Sequence, residues 1–204
     1  ASAELTKGVE SILTRVATEG DRGLIALTEA FDGILYSDPD AFKVPVEVLE
    51  NALITIEEGV KIALMQAADN IRTFHAMQLP SPVIWDQPGK RVILRQDPLS
   101  RVALYVPGGL AAYPSSVLMN AIPAQVAGVK EIAVFTPPTR DLRQLEAVYA
   151  ACALLGLTEV YALGGAQAVA AAAFGTQTIP PCDLITGPGN QYVTEAKRQV
   201  MDRV

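Results

Sequence analysis

In the second half of the chain, four short apolar segments alternate with four helical ones. The pattern predicts strands at residues 102–106, 132–135, 160–163 and 184–186, and helices at residues 115–126, 140–155, 166–174 and 190–203. Strands and helices that alternate in this way fold into a parallel sheet with right-handed crossovers. We therefore expect an incomplete Rossmann-like parallel sheet with helices on both faces.

The residues before this sheet predict helices and one hairpin. Apolar side chains recur at intervals of three and four from residue 2 to about residue 79, as in amphipathic helices. The apolar segments 83–85 and 91–94 then flank Pro88-Gly89, a pair typical of the centre of a type II turn. The expectation is an α/β protein in two parts, a helical segment with a linking hairpin and then the sheet, at residues 1–97 and 98–204.

The composition excludes several classes of function. Lys and Arg number 16 against 22 Asp and Glu, so the chain lacks the basic face that nucleic-acid backbone binding requires. No apolar stretch reaches the roughly 20 residues that cross a bilayer, and no signal-peptide pattern begins the chain. Cys152 and Cys182 lack the spacing of a zinc ribbon or a disulfide framework. We expect reduced thiols in a soluble, cytoplasmic protein.

Three of the four predicted strands end in a glycine turn that leads into a helix: Pro107-Gly108-Gly109, Gly164-Gly165 and Gly187-Pro188-Gly189. In a parallel sheet these turns meet at one edge, where helix N-termini offer N–H groups to a ligand such as a pyrophosphate. Glycines also make tight turns without a ligand, and any single turn fits that interpretation as well. Each turn, however, has a side chain beside it that can hydrogen-bond a ligand, which favours a nucleotide or cofactor site at Tyr105, Gln167 and Asn190.

The residues alone indicate no catalytic group and no metal ligand. None of the turns is a Gly-x-Gly-x-x-Gly fingerprint, and no acidic residue about twenty positions further on is placed to bind a ribose. Ser115 and Ser116 start a helix, but they lack the Gly-x-Ser-x-Gly context of a nucleophile. The single histidine, His75, lies near a helix end, where a structural or exposed position is the ordinary one. A solvated face is expected for the charged residues Glu195, Lys197 and Arg198.

Several motifs resemble those of the histidinol dehydrogenase family, in the family's order and over nearly the whole chain. They are Asn70–His75 (NIRTFH), Leu104–Gly109 (LYVPGG), Tyr113–Met119 (YPSSVLM), Gly164–Ala168 (GGAQA), Ala173–Thr176 (AFGT) and Gly187–Arg198 (GPGNQYVTEAKR). The resemblance implies a zinc-dependent enzyme that oxidises L-histidinol to L-histidine by two hydride transfers to NAD, through a bound aldehyde. It also implies that Tyr105, Gln167 and Asn190 contact NAD, and that the intact enzyme is a homodimer.

The chain departs from the family in what it lacks. The family's zinc ligands, substrate-binding residues and Glu-His pair for proton transfer lie downstream of the Gly187-Pro188-Gly189-Asn190 helix, and this chain ends before them. It also begins at Ala1 without Met and stops at Val204 within a predicted helix. The resemblance therefore implies the NAD-binding half of the enzyme, inactive alone, with the zinc ligands outside the chain. A non-catalytic nucleotide-binding module and a scaffold without a ligand are the alternatives.

Overall fold

The structure, a computed structural model, describes residues 2–108 and 113–204, so Gly109 of the first predicted turn lies outside the described residues. The first part contains helices α1 (Ala3–Glu19), α2 (Asp21–Asp32), α3 (Val46–Thr55) and α4 (Glu58–Ala76), then strands β1 (Val83–Gln87) and β2 (Lys90–Leu94). There follow β3 (Arg101–Tyr105), α5 (Pro114–Ala127), β4 (Glu131–Thr136), α6 (Glu146–Leu154), β5 (Glu159–Ala162), α7 (Gly165–Phe174), β6 (Leu184–Thr186) and α8 (Gln191–Gln199). Short 3-10 helices lie at Pro39–Phe42 and Leu142–Gln144.

The predicted hairpin is confirmed as β1 and β2. The two strands pair antiparallel, from Val83 opposite Leu94 to Gln87 opposite Lys90. Gly89 between them has a φ of 78°, which is the value that a type II turn requires at its third residue. Every side chain of both strands is exposed, so the hairpin stands apart from the core.

The other four strands form a parallel sheet in the order β5-β4-β3-β6. From β3 the chain steps outward through β4 to β5, and it then returns so that β6 pairs with the opposite side of β3. This order is the one found in the first part of a Rossmann sheet, and the predicted α/β fold is confirmed. The reversal between β3 and β6 makes the carboxyl ends of those strands the expected place for a ligand.

The strands divide the core in two, because successive side chains of a strand point to opposite faces. Val102 and Leu104 of β3 face the helices α3, α4, α5 and α6, whereas Ala103 and Tyr105 face α1, α2, α7 and α8. The predicted helices on both faces are therefore confirmed. Helices from residues 1–97 pack in the same two cores as the sheet, and the division between residues 97 and 98 stays a prediction.

Helix α1 packs against the last two helices of the chain. Its buried residues Val9, Leu13 and Val16 share a core with Val193 and Ala196 of α8 and with the alanines of α7. A side-chain bond adds to this packing, since Nε2 of Gln199 donates to the carbonyl oxygen of Thr6 at 3.0 Å. Both ends of the described chain thus lie on one face of the sheet.

The amino edge of the sheet is held by a buried arginine, Arg101. Its Nη1 donates to Glu131 at 2.9 Å and to Glu159 at 3.2 Å, and its Nη2 donates to the second carboxylate oxygen of Glu159. These three residues are the first residues of β3, β4 and β5. The hydrogen bonds from Arg101 also lower the pKa of Glu159. Asp183, which precedes β6, accepts from the backbone N–H groups of Ser100 and Arg101 at 3.0 Å each.

Two predicted helices differ from the structure. The helix expected from residue 140 begins only at Glu146, because the carboxylate of Asp141 accepts from the N–H of Arg143 and favours a separate 3-10 turn at Leu142–Gln144. The helix expected to reach residue 203 ends at Gln199. There the side chain of Arg203 donates to the carbonyl oxygen of Ala173, which directs the last residues towards α7.

Candidate functional site

A cavity of about 400 Å³ lies at the carboxyl edge of the sheet. The described residues that line it come from the ends of the strands, from the helices that follow them and from α1 and α2: Ile12, Phe31, Asp32, Tyr105, Pro137, Gly165, Ala166, Gln167, Asn190 and Tyr192. The three residues predicted from the sequence, Tyr105, Gln167 and Asn190, are all among them. The fold thus brings them together at the place where the strand order reverses.

Tyr105 is the last residue of β3, and its side chain is buried beside α7. Its hydroxyl oxygen accepts a hydrogen bond of 3.0 Å from the N–H of Gly165, the first residue of that helix. Burial raises the pKa of Tyr105, although the bond from Gly165 acts in the opposite direction, and the carboxylate of Asp32 raises it further. The phenol therefore stays protonated at neutral pH and can donate its hydrogen to a ligand.

Gln167 lies in the first turn of α7 and is 2% exposed. Its Nε2 donates to Oδ2 of Asp32 at 3.3 Å. Its Oε1 lies so close to Gly165 that a Cβ on that glycine would come within 2.5 Å, and Gly165 has a φ of 64°. The bond to Asp32 orients the amide and engages Nε2, so Oε1 is the acceptor that Gln167 can offer to a ligand.

Asn190 is the N-cap of α8. Its Oδ1 accepts from the backbone N–H groups of Tyr192 and Val193 at 3.0 and 3.1 Å. An N-cap of this kind satisfies donors that the first turn of a helix would otherwise leave without a partner. The oxygen is engaged by the helix, and the amide NH₂ is the group of Asn190 that can serve a ligand.

The glycines of the turns are explained by the packing of the turns on one another. A Cβ on Gly164 would lie 2.8 Å from Pro137, and one on Gly187 would lie 2.1 Å from the carbonyl oxygen of Tyr105. Gly187 also has a φ of 106°, a conformation that other residues rarely adopt. Packing alone therefore accounts for glycine at these two positions, whether or not a ligand binds there. The polar surface of the cavity is provided by side chains.

Sequence reasoning missed the part of the cavity that α2 provides. Phe31 and Asp32 end this helix, and the carboxyl group of Asp32 contacts Gln167 across the cavity. Partial burial raises the pKa of Asp32. The helical periodicity of α2 shows which residues face the core but not what they pack against. The only local signal was an acidic residue next to a large aromatic one at a helix end.

The predicted solvated face of α8 is wrong for Glu195. Its side chain is 4% exposed and accepts from both the Nε and an Nη of Arg198, at 2.9 and 2.7 Å. The Nε2 of Gln199 also donates to it at 2.8 Å. Lys197 is partly buried, and its Nζ donates to the carbonyl oxygen of Gly187 at 2.7 Å. Arg198 alone remains largely exposed, at 60% of its side chain.

A zinc site does not fit the residues that the structure describes. Within residues 2–108 and 113–204, no group of three or more His, Cys, Asp and Glu side chains is arranged to hold a metal ion. His75 packs edge-on against its neighbour Phe74, with ring centroids 5.6 Å apart. Cys152 and Cys182 are buried free thiols, and burial raises their pKa values to about 12 and about 11.

No helix in the described part of the chain is both long enough and apolar enough to cross a bilayer.

Known proteins share both the sequence and the fold. The histidinol dehydrogenase family matches residues 1–204. The histidinol dehydrogenases of Chlorobaculum tepidum and Aliivibrio fischeri are 46% and 48% identical to this chain over 96% and 97% of its length. The crystal structure of histidinol dehydrogenase from Elizabethkingia anophelis covers 99% of this chain with a TM-score of 0.91 and 34% identity.

This chain spans less than half the length of the relatives that it matches. It covers 45% and 44% of the two bacterial enzymes and 46% of the crystallised chain. Within that half, the match is continuous from the first helix to the last. The family, the parallel sheet and the order of the motifs agree, and the chain belongs to the histidinol dehydrogenase family.

Proposed function

We propose that this chain is the NAD-binding half of a histidinol dehydrogenase. In the full-length protein, L-histidinol would be oxidised to L-histidine in two successive steps through a bound aldehyde. The observation that carries the proposal is the meeting of Tyr105, Gln167 and Asn190 in one cavity at the strand reversal of a Rossmann-like sheet. A homodimer and a cytoplasmic location follow from the family resemblance and stay predictions.

The lining of the cavity suits one end of a dinucleotide. A volume of about 400 Å³ lies towards the lower end of the range for small-molecule pockets, roughly 300 to 1,000 Å³. Phe31, Pro137 and Ile12 offer apolar surface to a flat ring, and a few polar groups converge on the same space, as in most cofactor sites. The rest of the dinucleotide would extend along the carboxyl edge of the sheet.

The three predicted residues of the cavity have different parts in holding the cofactor. Tyr105, kept protonated by burial, donates a hydrogen bond, while Gln167 offers an amide that its bond to Asp32 orients. Asn190 donates from its NH₂ group while its oxygen caps α8. Bound NAD supplies the hydride acceptor of the reaction. We assign binding and orientation to these residues, and proton transfer and zinc binding to the remainder of the full-length enzyme.

Isothermal titration of the folded chain with NAD tests this proposal. We expect saturable binding, and we expect Gln167→Ala to weaken it by roughly tenfold, because the variant removes a buried hydrogen-bonding amide from the cavity. Gln66→Ala is the matched control, since Gln66 lies on the exposed side of α4 and bonds only its helical neighbour Asn70 among the described residues. Circular dichroism confirms that each variant is folded.

The same titration separates the proposal from a scaffold without a ligand. Absence of binding heat from a chain shown to be folded would remove the cofactor role of the isolated chain and favour a scaffold without a ligand. Binding of NAD by an inactive chain agrees with the proposal and with the non-catalytic nucleotide-binding module, and it excludes only the scaffold without a ligand. Oxidation of L-histidinol by this chain alone would contradict the assignment of zinc and proton transfer to the rest of the enzyme.

A further inference from the structure

Asp32 is the only acidic residue among the described residues that line the cavity. We propose that Asp32 selects NAD over NADP, because its carboxylate accepts hydrogen bonds from the hydroxyls of the adenosine ribose and repels a 2′-phosphate. This inference rests on the proposed function and names a specificity determinant within the same site. It concerns a residue of α2, outside the sheet and outside the glycine turns.

The position of Asp32 in the fold supports this role. In a Rossmann unit, the acidic residue that binds the ribose follows the glycine turn by about twenty residues, near the end of the second strand. The second strand here is β4, which ends at Thr136 and is followed by Pro137, so no acid stands at that place in the sequence. Pro137 and Asp32 nevertheless line the same cavity. Helix α2 therefore brings a carboxylate to the site where the sequence of the sheet provides none.

The contacts of Asp32 leave it able to bind a diol. Its Oδ2 accepts from Nε2 of Gln167 at 3.3 Å, and a carboxylate can accept several hydrogen bonds on its two oxygens. The two hydroxyls of a ribose can donate such hydrogen bonds to the carboxylate. A 2′-phosphate would instead place about −1.5 to −2 charges beside this carboxylate. Because Asp32 is partly buried, water screens such a repulsion less than it would at an exposed site.

An arginine next to Asp32 makes the selection testable. Arg140 is exposed, and its Nη2 donates to the carbonyl oxygen of Gly33, the residue that follows Asp32, at 2.8 Å. Arginines accommodate the 2′-phosphate in sites that bind NADP. Arg140 does not belong to the described lining of the cavity, whereas Asp32 does. The carboxylate of Asp32 therefore decides the preference for NAD. Without it, Arg140 would be left to bind a 2′-phosphate without an opposing charge in the cavity.

The experiment compares the dissociation constants of NAD and NADP by titration of the folded chain. We expect the native chain to bind NAD at least roughly tenfold more tightly than NADP, since a like charge at a binding site is strongly unfavourable. Asp32→Asn keeps the shape and an acceptor for Gln167, and it should reduce this preference by roughly tenfold through tighter NADP binding. Asp32→Asn combined with Arg140→Gln should lose the gained NADP affinity. Glu29→Gln, at an exposed position of the same helix, is the matched control.

Each other outcome is informative. Equal binding of NAD and NADP by the native chain, or an unchanged ratio in Asp32→Asn, would overturn the inference while leaving the proposed function intact. An equal loss of both ligands would show that Asp32 acts only through the orientation of Gln167, and would also overturn it. Binding of neither ligand to the folded native chain would remove the proposed function and this inference with it. Asp32→Ser replaces Asp32→Asn if the latter does not fold.

Discussion

At the scale of single residues, Glu195 shows how a charged helix position becomes part of the core. Its carboxylate receives hydrogen bonds from Arg198 and Gln199, and Gln199 also bonds the carbonyl oxygen of Thr6 in α1. The bonds from Arg198, followed by that from Gln199, lower the pKa of Glu195 to about 2. The ionised form of Glu195 therefore stabilises the contact between the first and last helices.

This pKa predicts a pH dependence of stability. A carboxylate with a lowered pKa in the folded state contributes its full stabilisation above its ordinary pKa of about 4.3. The contribution is lost as the pH falls from about 4.3 towards about 2. Glu195→Gln should lower the urea midpoint at pH 7, and its midpoint should fall less steeply than that of the native chain below pH 5.

Urea unfolding followed by circular dichroism between pH 7 and pH 2.5 measures this effect. Glu10→Gln is the control, because Glu10 is exposed on α1, and it should follow the native curve. A Glu195→Gln curve parallel to the native one over the acid range would show that the carboxylate charge does not stabilise this contact.

The residues of the candidate site were predictable to different degrees. Tyr105, Gln167 and Asn190 could be found because each lies beside a strand end and a glycine, and parallel strands bring such positions to one edge. Asp32 could not be found in this way, because it reaches the cavity through the packing of α2 on α7 and not through the order of the sheet. A tertiary contact of this kind has no local sequence signal.

At the scale of elements, the strands of the sheet were predicted to within one residue because they are continuous apolar runs, and β3 and β4 are buried along nearly their whole length. The start of α6 was missed, since the capping interaction of Asp141 with Arg143 outweighs the helical pattern there. The face of the sheet that each N-terminal helix would cover was not predictable. Periodicity identifies the apolar side of a helix, but many surfaces can receive it.

The clearest prediction at this scale concerns Arg101 and the strands that it joins. Its side chain is 6% exposed, and it joins the first residues of three strands. Arg101→Met would leave two carboxylates without a counter-charge and should lower the free energy of unfolding by about 3 kcal/mol. This value lies at the low end for a broken buried pair because Glu131 and Glu159 can regain water, at 59% and 28% exposure.

Urea denaturation at neutral pH provides the measurement. Arg91→Met is the matched control, because the ion pair of Arg91 with Asp86 lies on the exposed hairpin and such pairs contribute at most about 1 kcal/mol. Equal effects of the two substitutions would mean that the Arg101 cluster is no stronger than a surface pair.

At the scale of the whole molecule, the hairpin of β1 and β2 is the feature most at odds with a protein that functions alone. Its apolar side chains Val83, Ile84, Trp85, Val92, Ile93 and Leu94 are all exposed. A two-stranded hairpin is marginally stable by itself, and exposed apolar strands favour pairing with other chains. We expect the isolated chain to associate as its concentration increases.

Light scattering over a range of protein concentrations tests this expectation. Ile93→Lys places a charge on the second strand and should reduce association, as charged residues do on natural edge strands. Ser11→Lys on α1 is the control, since that position is exposed and distant in sequence from the hairpin. If Ile93→Lys left the association unchanged, a surface other than the hairpin would be responsible for the association.

The packing of α1 against α7 and α8 also determines when this protein can fold during its synthesis. Besides the adjacent helix α2, the helices that pack on α1 begin at Gly165 and Gln191, so at about 5–20 residues per second they follow it on the order of ten seconds or more later. During that interval Val9, Leu13 and Val16 lack the apolar side chains of α7 and α8 that cover them in the native state. Contacts so distant in sequence also slow folding. We therefore expect chaperones that shield apolar helices to bind the nascent chain until α7 and α8 have left the ribosome.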